Sequence, residues 1–375
     1  MEQQSPFFES LKPFIQEAWN KAGFDQPTAV QNETAPIIVE GGDVIAEAPT
    51  GSGKTLAYLL PVLQKIDPEA KQAQVLILAS SHELVMQIFD EVRKWTEGSG
   101  IRSASLIGGA NVKRQLEKLK KKPHVIVGTP GRVNDLIEKK KLKMHEVKTI
   151  VLDEGDQLLV PEHMKTVQSI VKTTLKERQL LVFSATLSEV AVEDARSMMK
   201  DPEVLKVEDK ESEQPDVDHY YIVSEGRKKA DTLRKLVYLK EFKGLAFMRD
   251  IGNLTVFAEK LDYRGIDVGT LHGETKKQNR AQVLKKFQRN EFRLVMATDV
   301  AARGIDMPDI NHIINVDLPR ATEYTHRAGR TGRLGSSSGT VITIVTPDEE
   351  KQMKKLAKDL NLTIKKTEIY KGQLK

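Results

Sequence analysis

A chain of 375 residues exceeds what one ordinary hydrophobic core serves, so two domains are expected. Hydrophobic residues at 39% and charged residues at 30% support real cores under a polar surface; no run approaches the roughly 18 uninterrupted apolar residues of a membrane helix, and zero cysteines exclude disulfides and thiolate metal sites. The net charge of +5 is uneven, with 26 Lys+Arg against 28 Asp+Glu in residues 1–205 and 32 against 25 beyond, a basic half compatible with a polyanionic partner.

The opening MEQQSPFFESLKPF lacks the basic-then-apolar layout of a signal peptide, and with the missing cysteines this fits a reducing cytoplasm. Apolar runs then alternate with helix-length stretches. DVIAEA (43–48), QVLILA (74–79), SASLIGG (103–109), HVIVGT (124–129), KTIVLDE (148–154) and QLLVFSAT (179–186) read as short strands, rich in Val, Ile and Leu and buried on both faces of a parallel sheet. Between them, stretches such as TLAYLLPVLQKI and RVNDLIEKKK supply helices, the βαβ rhythm of an α/β domain. The acidic interval VEDKESEQPDVD (207–218) breaks the rhythm and reads as an exposed linker. HYYIV, GLAFM, DVGTLH, RLVMAT, HIINVD and GTVITIVT resume it. The expected fold is therefore α/β, with one domain over 1–206, a linker over 207–218 and a second domain over 219–375. The basic runs KRQLEKLKKK (113–122) and KKKLK (139–143) read first as solvated helix faces and second as an extension of a polyanion path. KQMKKLAKDL (351–360) reads as a packing helix, and the terminal IKKTEIYKGQLK as a short basic stub.

Two stretches carry chemistry. APTGSGKT, Ala48 to Thr55, lies between a strand and a helix, the context a phosphate-binding loop requires. Pro49, Thr50, Gly51, Ser52 and Gly53 would let backbone N–H groups close round phosphate oxygens, with Lys54 reaching the β/γ-phosphates and the Thr55 hydroxyl on Mg²⁺. A glycine-rich turn ending in Lys-Thr is the plainer alternative. VLDEGD places Asp153, Glu154 and Asp156 at the end of an apolar strand. They form either a polar turn or a metal-and-base site, with Asp153 as a second Mg²⁺ partner and Glu154 orienting or deprotonating water.

Taken in order, these motifs resemble the DEAD-box RNA helicases over about residues 7 to 350. VLDEGD is similar to the family's D-E-A-D signature with Gly155 where alanine stands, and APTGSGKT matches the family's phosphate loop, which begins with alanine. AGFDQPTAVQ (22–31) resembles the adenine-reading Q motif, implying that Phe24 belongs to the ATP site, that Gln31 meets the adenine edge and that Phe7 or Phe8 packs on the base. SAT, with Ser184 and Thr186, matches the segment coupling hydrolysis to strand separation, a role shared by Asp156. The GG and TPGR segments imply RNA-backbone contacts at Gly109, Thr129 and Arg132. ATDVAARGID (297–306) and YTHRAGRTGR (324–333) match the last two signatures. They imply RNA contacts at Thr298 and Arg303, ribose contact at Asp306, and Arg330 and Arg333 reaching the γ-phosphate. His326 is implied as an interdomain contact, with a structural histidine as the alternative.

The departures cluster on the RNA side. SSHELVMQ (80–87) puts Ser80, Ser81 and His82 where the family has P-T-R, so a permanent cation touching RNA phosphate is lost and a weaker or pH-sensitive grip becomes an expectation. Lys277 replaces the glutamine of the Q-x-x-R segment while Arg280 is kept, and FMRD keeps only Phe247 of the family's fourth motif. The resemblance implies two RecA-like domains in tandem and an ATP- and Mg²⁺-dependent helicase that locally unwinds short structured RNA with low sequence specificity. It further implies a monomer in the cytoplasm, with precursor ribosomal RNA or cold-stabilised message as substrate. An RNA clamp that closes with ATP but unwinds little, and a generic P-loop NTPase acting on DNA or protein, are the competing expectations.

Overall fold

All six apolar runs of the first half form strands in the computed structural model, which describes residues 10–207, 217–275, 277–302, 307, 310–332 and 338–375. They are β1 (Val44–Glu47), β2 (Val75–Leu78), β3 (Ser103–Leu106), β4 (Val125–Gly128), β5 (Thr149–Asp153) and β6 (Gln179–Ser184). An unforeseen β7 (Glu203–Lys206) adds to the edge beside β1. Its residues are mostly exposed, Val204 at 44%, so it carries no apolar contrast a sequence pattern could register. Every pairing is parallel, in the order β3-β4-β2-β5-β6-β1-β7.

Alternate residues of the inner strands feed opposite cores, as the period of two dictates. Val75, Ile77, Val151, Leu181 and Phe183 enter one face with the helices α1 (Pro13–Ala22), α2 (Ala29–Glu40), α3 (Lys54–Gln64) and α4 (His82–Trp95). Leu76, Leu78, Ile150, Leu152 and Val182 enter the other with α6 (Pro130–Glu138), α8 (Pro161–Lys172) and α9 (Glu189–Arg196); α5 is Val112–Lys120 and α7 is Gly155–Leu158. Fully burying each such side chain contributes about 1.5–3 kcal/mol, enough to hold a strand whose own pairing is short. The amino edge of the sheet is tied by the Asp43 carboxylate, which accepts N–H bonds from Leu180 at 2.7 Å and Lys200 at 2.8 Å. The expected functional residues of this unit, the Q motif apart, lie at the carboxyl edge or in the segments that follow it.

The chain divides into two units, residues 1–212 and 213–375. The second repeats the plan with β8 (Val217–Val223), β9 (Gly244–Phe247), β10 (Val268–Leu271), β11 (Leu294–Ala297), β12 (His312–Asn315), β13 (Gly339–Val345) and β14 (Lys365–Lys366) in the parallel order β10-β11-β9-β12-β13-β8-β14. Its helices are α10 (Lys229–Val237), α11 (Ile251–Asp262), α12 (Lys277–Gln288), α13 (Asp299–Ala302), α14 (Ala321–Ala328) and α15 (Glu350–Asp359).

Both ends of the expected linker belong to folded units. Val207 is 4% exposed in the first core and donates to the Glu47 carbonyl at 2.8 Å, while Val217 and Asp218 open β8 opposite Gly339 and Thr340. The terminal stub is also structured. Lys365 and Lys366 pair with Tyr220 and Tyr221, and β15 (Ile369–Tyr370) and β16 (Gln373–Leu374) form a hairpin through Gly372 at φ 76°. Among the described residues, no helix is long and apolar enough to cross a membrane.

Candidate functional site

The phosphate-loop sequence folds as its glycines require. Gly51 and Gly53 take φ of 88° and 87°, a region open to glycine at little steric cost, and Gly53 caps α3. A Cβ on Gly53 would stand 2.6 Å from Gln31 Nε2, so the loop and the Q motif touch through that glycine. The Gln31 amide oxygen accepts the Thr28 N–H at 3.1 Å, and its nitrogen donates to the Gly53 carbonyl at 3.3 Å. Lys54 Nζ donates to the Ala48 and Pro49 carbonyls, both at 2.7 Å. Burial pushes this ammonium down to about 8, against the pull of Asp153, Glu154 and Asp156. Among the described residues, the Ser52 hydroxyl, in a residue 3% exposed, finds no bonding partner, nor do the buried hydroxyls of Thr28 and Thr186.

Asp153 closes β5 inside the sheet, 5% exposed. Its carboxylate accepts the Tyr58 hydroxyl at 2.8 Å and the Glu154 N–H at 2.9 Å. Burial first, then the charge of Glu154, raise it to about 6 despite these bonds and Lys54. Tyr58 also bonds Thr55, so one phenol on α3 holds both expected metal ligands. The set is one carboxylate and one hydroxyl, hard oxygen donors of the kind Mg²⁺ takes beside waters and phosphate oxygens. Glu154 turns the chain from strand to helix at φ 54°, a conformation costing a non-glycine residue on the order of 1 kcal/mol. Its carboxylate accepts the Ser80 hydroxyl at 2.8 Å. Asp156 accepts from Ser184 Oγ at 2.6 Å, and Ser184 Oγ receives the Asp156 and Thr186 N–H groups at 3.3 and 3.4 Å.

Gly155, where the related signature has alanine, has a local cause. A Cβ there would meet Val182 Cγ1 at 2.7 Å, and valine's branched side chain has little freedom to turn away. Gly155→Ala is expected to destabilise this unit by about 1–3 kcal/mol, the cost of overpacking. Urea unfolding of a double-mutant cycle should show a smaller loss in a Val182→Ala background. An equal loss in both backgrounds removes Val182 as the cause.

The expected RNA residues of this unit follow the neighbouring strands β2, β4 and β3. Ser81 caps α4, its hydroxyl accepting the Leu84 N–H at 3.1 Å. His82 is exposed beside Gly108, where an added Cβ would lie 3.3 Å from its Nε2. Thr129 starts α6 and donates its N–H to the Leu106 carbonyl at 3.0 Å, and Arg132 reaches the Ala110 carbonyl at 3.4 Å beside Gly109. The segments holding His82, Gly109, Thr129 and Arg132 are thus brought together. Phe24 instead packs on Trp19 and Trp95, with centroids at 5.2 and 6.4 Å, and keeps 44% exposure.

In the second unit, Phe247 closes β9 with its side chain turned inward. The ring is 2% exposed in the core beneath Arg327, whose guanidinium carbon lies 4.8 Å from its centroid. Arg327, 1% exposed, is the organising residue that sequence inspection missed. It donates to both Asp299 carboxylate oxygens at 2.7 and 2.5 Å and to Asn315 at 2.9 Å. Thr298 beside it is 6% exposed, and His326 and Arg330 are half-buried on either side of Arg327 in sequence. Arg280 donates to the Ala301 carbonyl, bracing α13. Phe8, Arg303, Asp306 and Arg333 lie outside the described residues, as does the Lys277 side chain.

Tyr58 and Ser80 were also missed. Tyr58 sits within an apolar helix stripe, and Ser80 offers no signal beyond its place next to Ser81. The DEAD/DEAH box helicase family matches residues 28–195, and the helicase conserved C-terminal domain matches residues 228–335. The chain is 53% identical over 375 residues, all of both chains, to the probable ATP-dependent RNA helicase YfmL of Bacillus subtilis. It is 49% identical over 365 residues to the DEAD-box ATP-dependent RNA helicase CshC of Bacillus cereus, covering 97% of this chain and 93% of that one. The solved structure of S. cerevisiae Dbp5 bound to RNA and ADP BeF3 is similar at TM-score 0.86 and 26% identity, over 95% of this chain and 94% of that one. With two RecA-like parallel sheets carrying these motifs, the chain belongs to the DEAD-box family of ATP-dependent RNA helicases.

Proposed function

We propose that this helicase locally unwinds or remodels short structured RNA, using ATP hydrolysis stimulated by that RNA. The observation that carries the proposal is the hydrogen bond from Ser80 to Glu154. Ser80 leads directly into Ser81 and His82 at the end of β2, and Glu154 follows β5, the adjacent strand. A shift of the RNA-facing segment would therefore be felt at the group meant to activate water.

Lys54 and the loop N–H groups bind the triphosphate, Gln31 reads the adenine edge, and Glu154 orients water and takes its proton. Thr55 and Asp153 would hold Mg²⁺, which would supply neutralisation of phosphate charge. Arg330 and Arg333 would stabilise the transferring phosphoryl group. Gly109, Thr129, Arg132, Thr298 and Arg303 hold RNA backbone, so sequence specificity is low. Disrupting a few base pairs, at about 1–2 kcal/mol per stacked step, suits one ATP cycle. A cytoplasmic monomer working on precursor ribosomal RNA or cold-stabilised message is the setting we infer from the family resemblance.

The test is ATP turnover with single-stranded RNA, with DNA of the same sequence, and with neither, followed by unwinding of a short duplex. Stimulation by RNA alone, with unwinding, is expected. Equal stimulation by DNA would favour a general nucleic-acid NTPase, and stimulation without strand separation an RNA clamp.

The site also sets a pH profile. kcat/KM for ATP with Mg²⁺ reports the free enzyme. Asp153, raised to about 6, is neutral below that pH, and Lys54, lowered to about 8, is neutral above that one. A bell with limbs near those values is expected under RNA saturation. Loss of the alkaline limb in a folded Lys54→Arg variant that retains turnover would assign that limb to Lys54.

A further inference from the structure

The basic run 113–122 does not lie wholly on a solvated helix face. Lys118 on α5 and Lys121 just after it converge with Arg93 of α4 and Arg102 before β3 around a cavity of about 400 Å³. Nine residues line it; four are cations and none is a carboxylate. Phe89 forms its floor, with Lys118 Nζ 5.6 Å and the Arg93 guanidinium 6.0 Å from the ring centroid. Lys118 also reaches the Ser105 hydroxyl at 3.3 Å, while Arg102 is held by the Lys121 and Lys122 carbonyls at 3.1 and 3.3 Å. Among the described residues, the one carboxylate paired with a lining cation is Asp90, 4.0 Å from Arg93 on exposed surface. The larger cavity of the second unit differs. Its Lys228 and Arg234 are matched by Glu225 at 3.2 Å and Asp231 at 3.9 Å, both in its lining.

We propose that the cavity bounded by Arg93, Arg102, Lys118 and Lys121 is an accessory site for the RNA sugar–phosphate backbone. Four cations fixed by three separate segments around one concavity, with no lining acid, make a local field for a polyanion. RNA is the polyanion this helicase already binds, and the two places share a strand. β3 begins at Ser103 in the cavity wall and leads to Gly108 and Gly109, at most about 20 Å further along six extended residues. An RNA segment leaving Gly109 and running back along β3 toward its amino end would meet these cations. Phosphate contacts position without reading bases, so the site would add grip for longer or structured RNA irrespective of sequence.

The experiment compares full-length wild type with Lys118→Ala/Lys121→Ala for binding to a short single strand and to the same strand with a long extension. Wild type should favour the extended RNA, and the variant should bind both alike, with short-strand affinity and basal ATP turnover unchanged. The salt dependence of extended-RNA binding should flatten by about 1.4 in log–log slope for two lost single-strand contacts. An extension advantage retained in the variant, or absent in wild type, overturns the proposal. Equal loss on both RNAs does so too, since it places these lysines in the main path or in folding. Inorganic polyphosphate removing the wild-type advantage at concentrations that leave short-strand binding intact, with no slope change between proteins, would reassign the cavity to a soluble phosphate.

Discussion

Glu154→Gln is expected to lower kcat for ATP hydrolysis by about a hundred- to ten-thousand-fold while leaving ATP and RNA binding within a few-fold of wild type. That range is what a positioned general base contributes. The glutamine keeps the shape of the side chain, and its amide oxygen still accepts from Ser80, so the left-handed turn at φ 54° and the start of α7 are preserved. Removal of the negative charge also relieves Asp153, which burial first and Glu154 second raise to about 6, so metal-dependent nucleotide binding should not weaken. Single-turnover hydrolysis with saturating RNA, beside equilibrium binding of a non-hydrolysable ATP analogue, separates chemistry from binding. Turnover within tenfold of wild type would take the base role from Glu154. Ser80→Ala should give a smaller fall, seen chiefly as weakened stimulation by RNA.

Arg327→Met is expected to destabilise the second unit by about 3 kcal/mol. Arg327 is 1% exposed and closes a network through Asp299, Asn315 and, by the Asn315 amide at 3.1 Å, Thr343. Breaking a buried pair from one side typically costs 3–5 kcal/mol because the remaining charge is stranded. The lower end applies here since the Asp299 side chain is 22% exposed and can recruit water. Adding Asp299→Asn should recover part of the loss by removing that charge. Hydrogen exchange in the full chain provides the measurement. Amides of β9, β11, β12 and β13 should lose protection by about a hundredfold, at a factor of ten per 1.4 kcal/mol, while those of β2 and β5 serve as the unchanged reference. Unchanged protection in the second sheet would show the clasp to be dispensable.

What was legible along the chain and what was not divide by locality. The loop Ala48–Thr55 was readable because strand, glycines and helix start are contiguous, and their conformations follow from short-range sterics. Inner strands announced themselves by apolar runs because both faces are buried. The edge strands beside β1 and β8 escaped. β7 is exposed, and β14 is two lysines whose strand conformation comes from pairing with Tyr220 and Tyr221. A motif match also names a position and not the direction of a side chain; the Phe247 ring points into the core under Arg327.

The sequence alone determined the α/β class, the two parallel sheets, the phosphate loop and the cluster of carboxylates, since each is written in neighbouring residues or in a repeating apolar period. Tertiary structure decided which polar groups meet. Tyr58 with Asp153 spans 95 residues, Ser80 with Glu154 spans 74 and Arg327 with Asp299 spans 28. Those partners depend on strand order and register, and buried charge and hydrogen-bonding groups settle wherever that order lets them be satisfied. The convergence of Arg93, Arg102, Lys118 and Lys121 arises in the same way, because β3 at the sheet edge brings α4 and α5 to one wall.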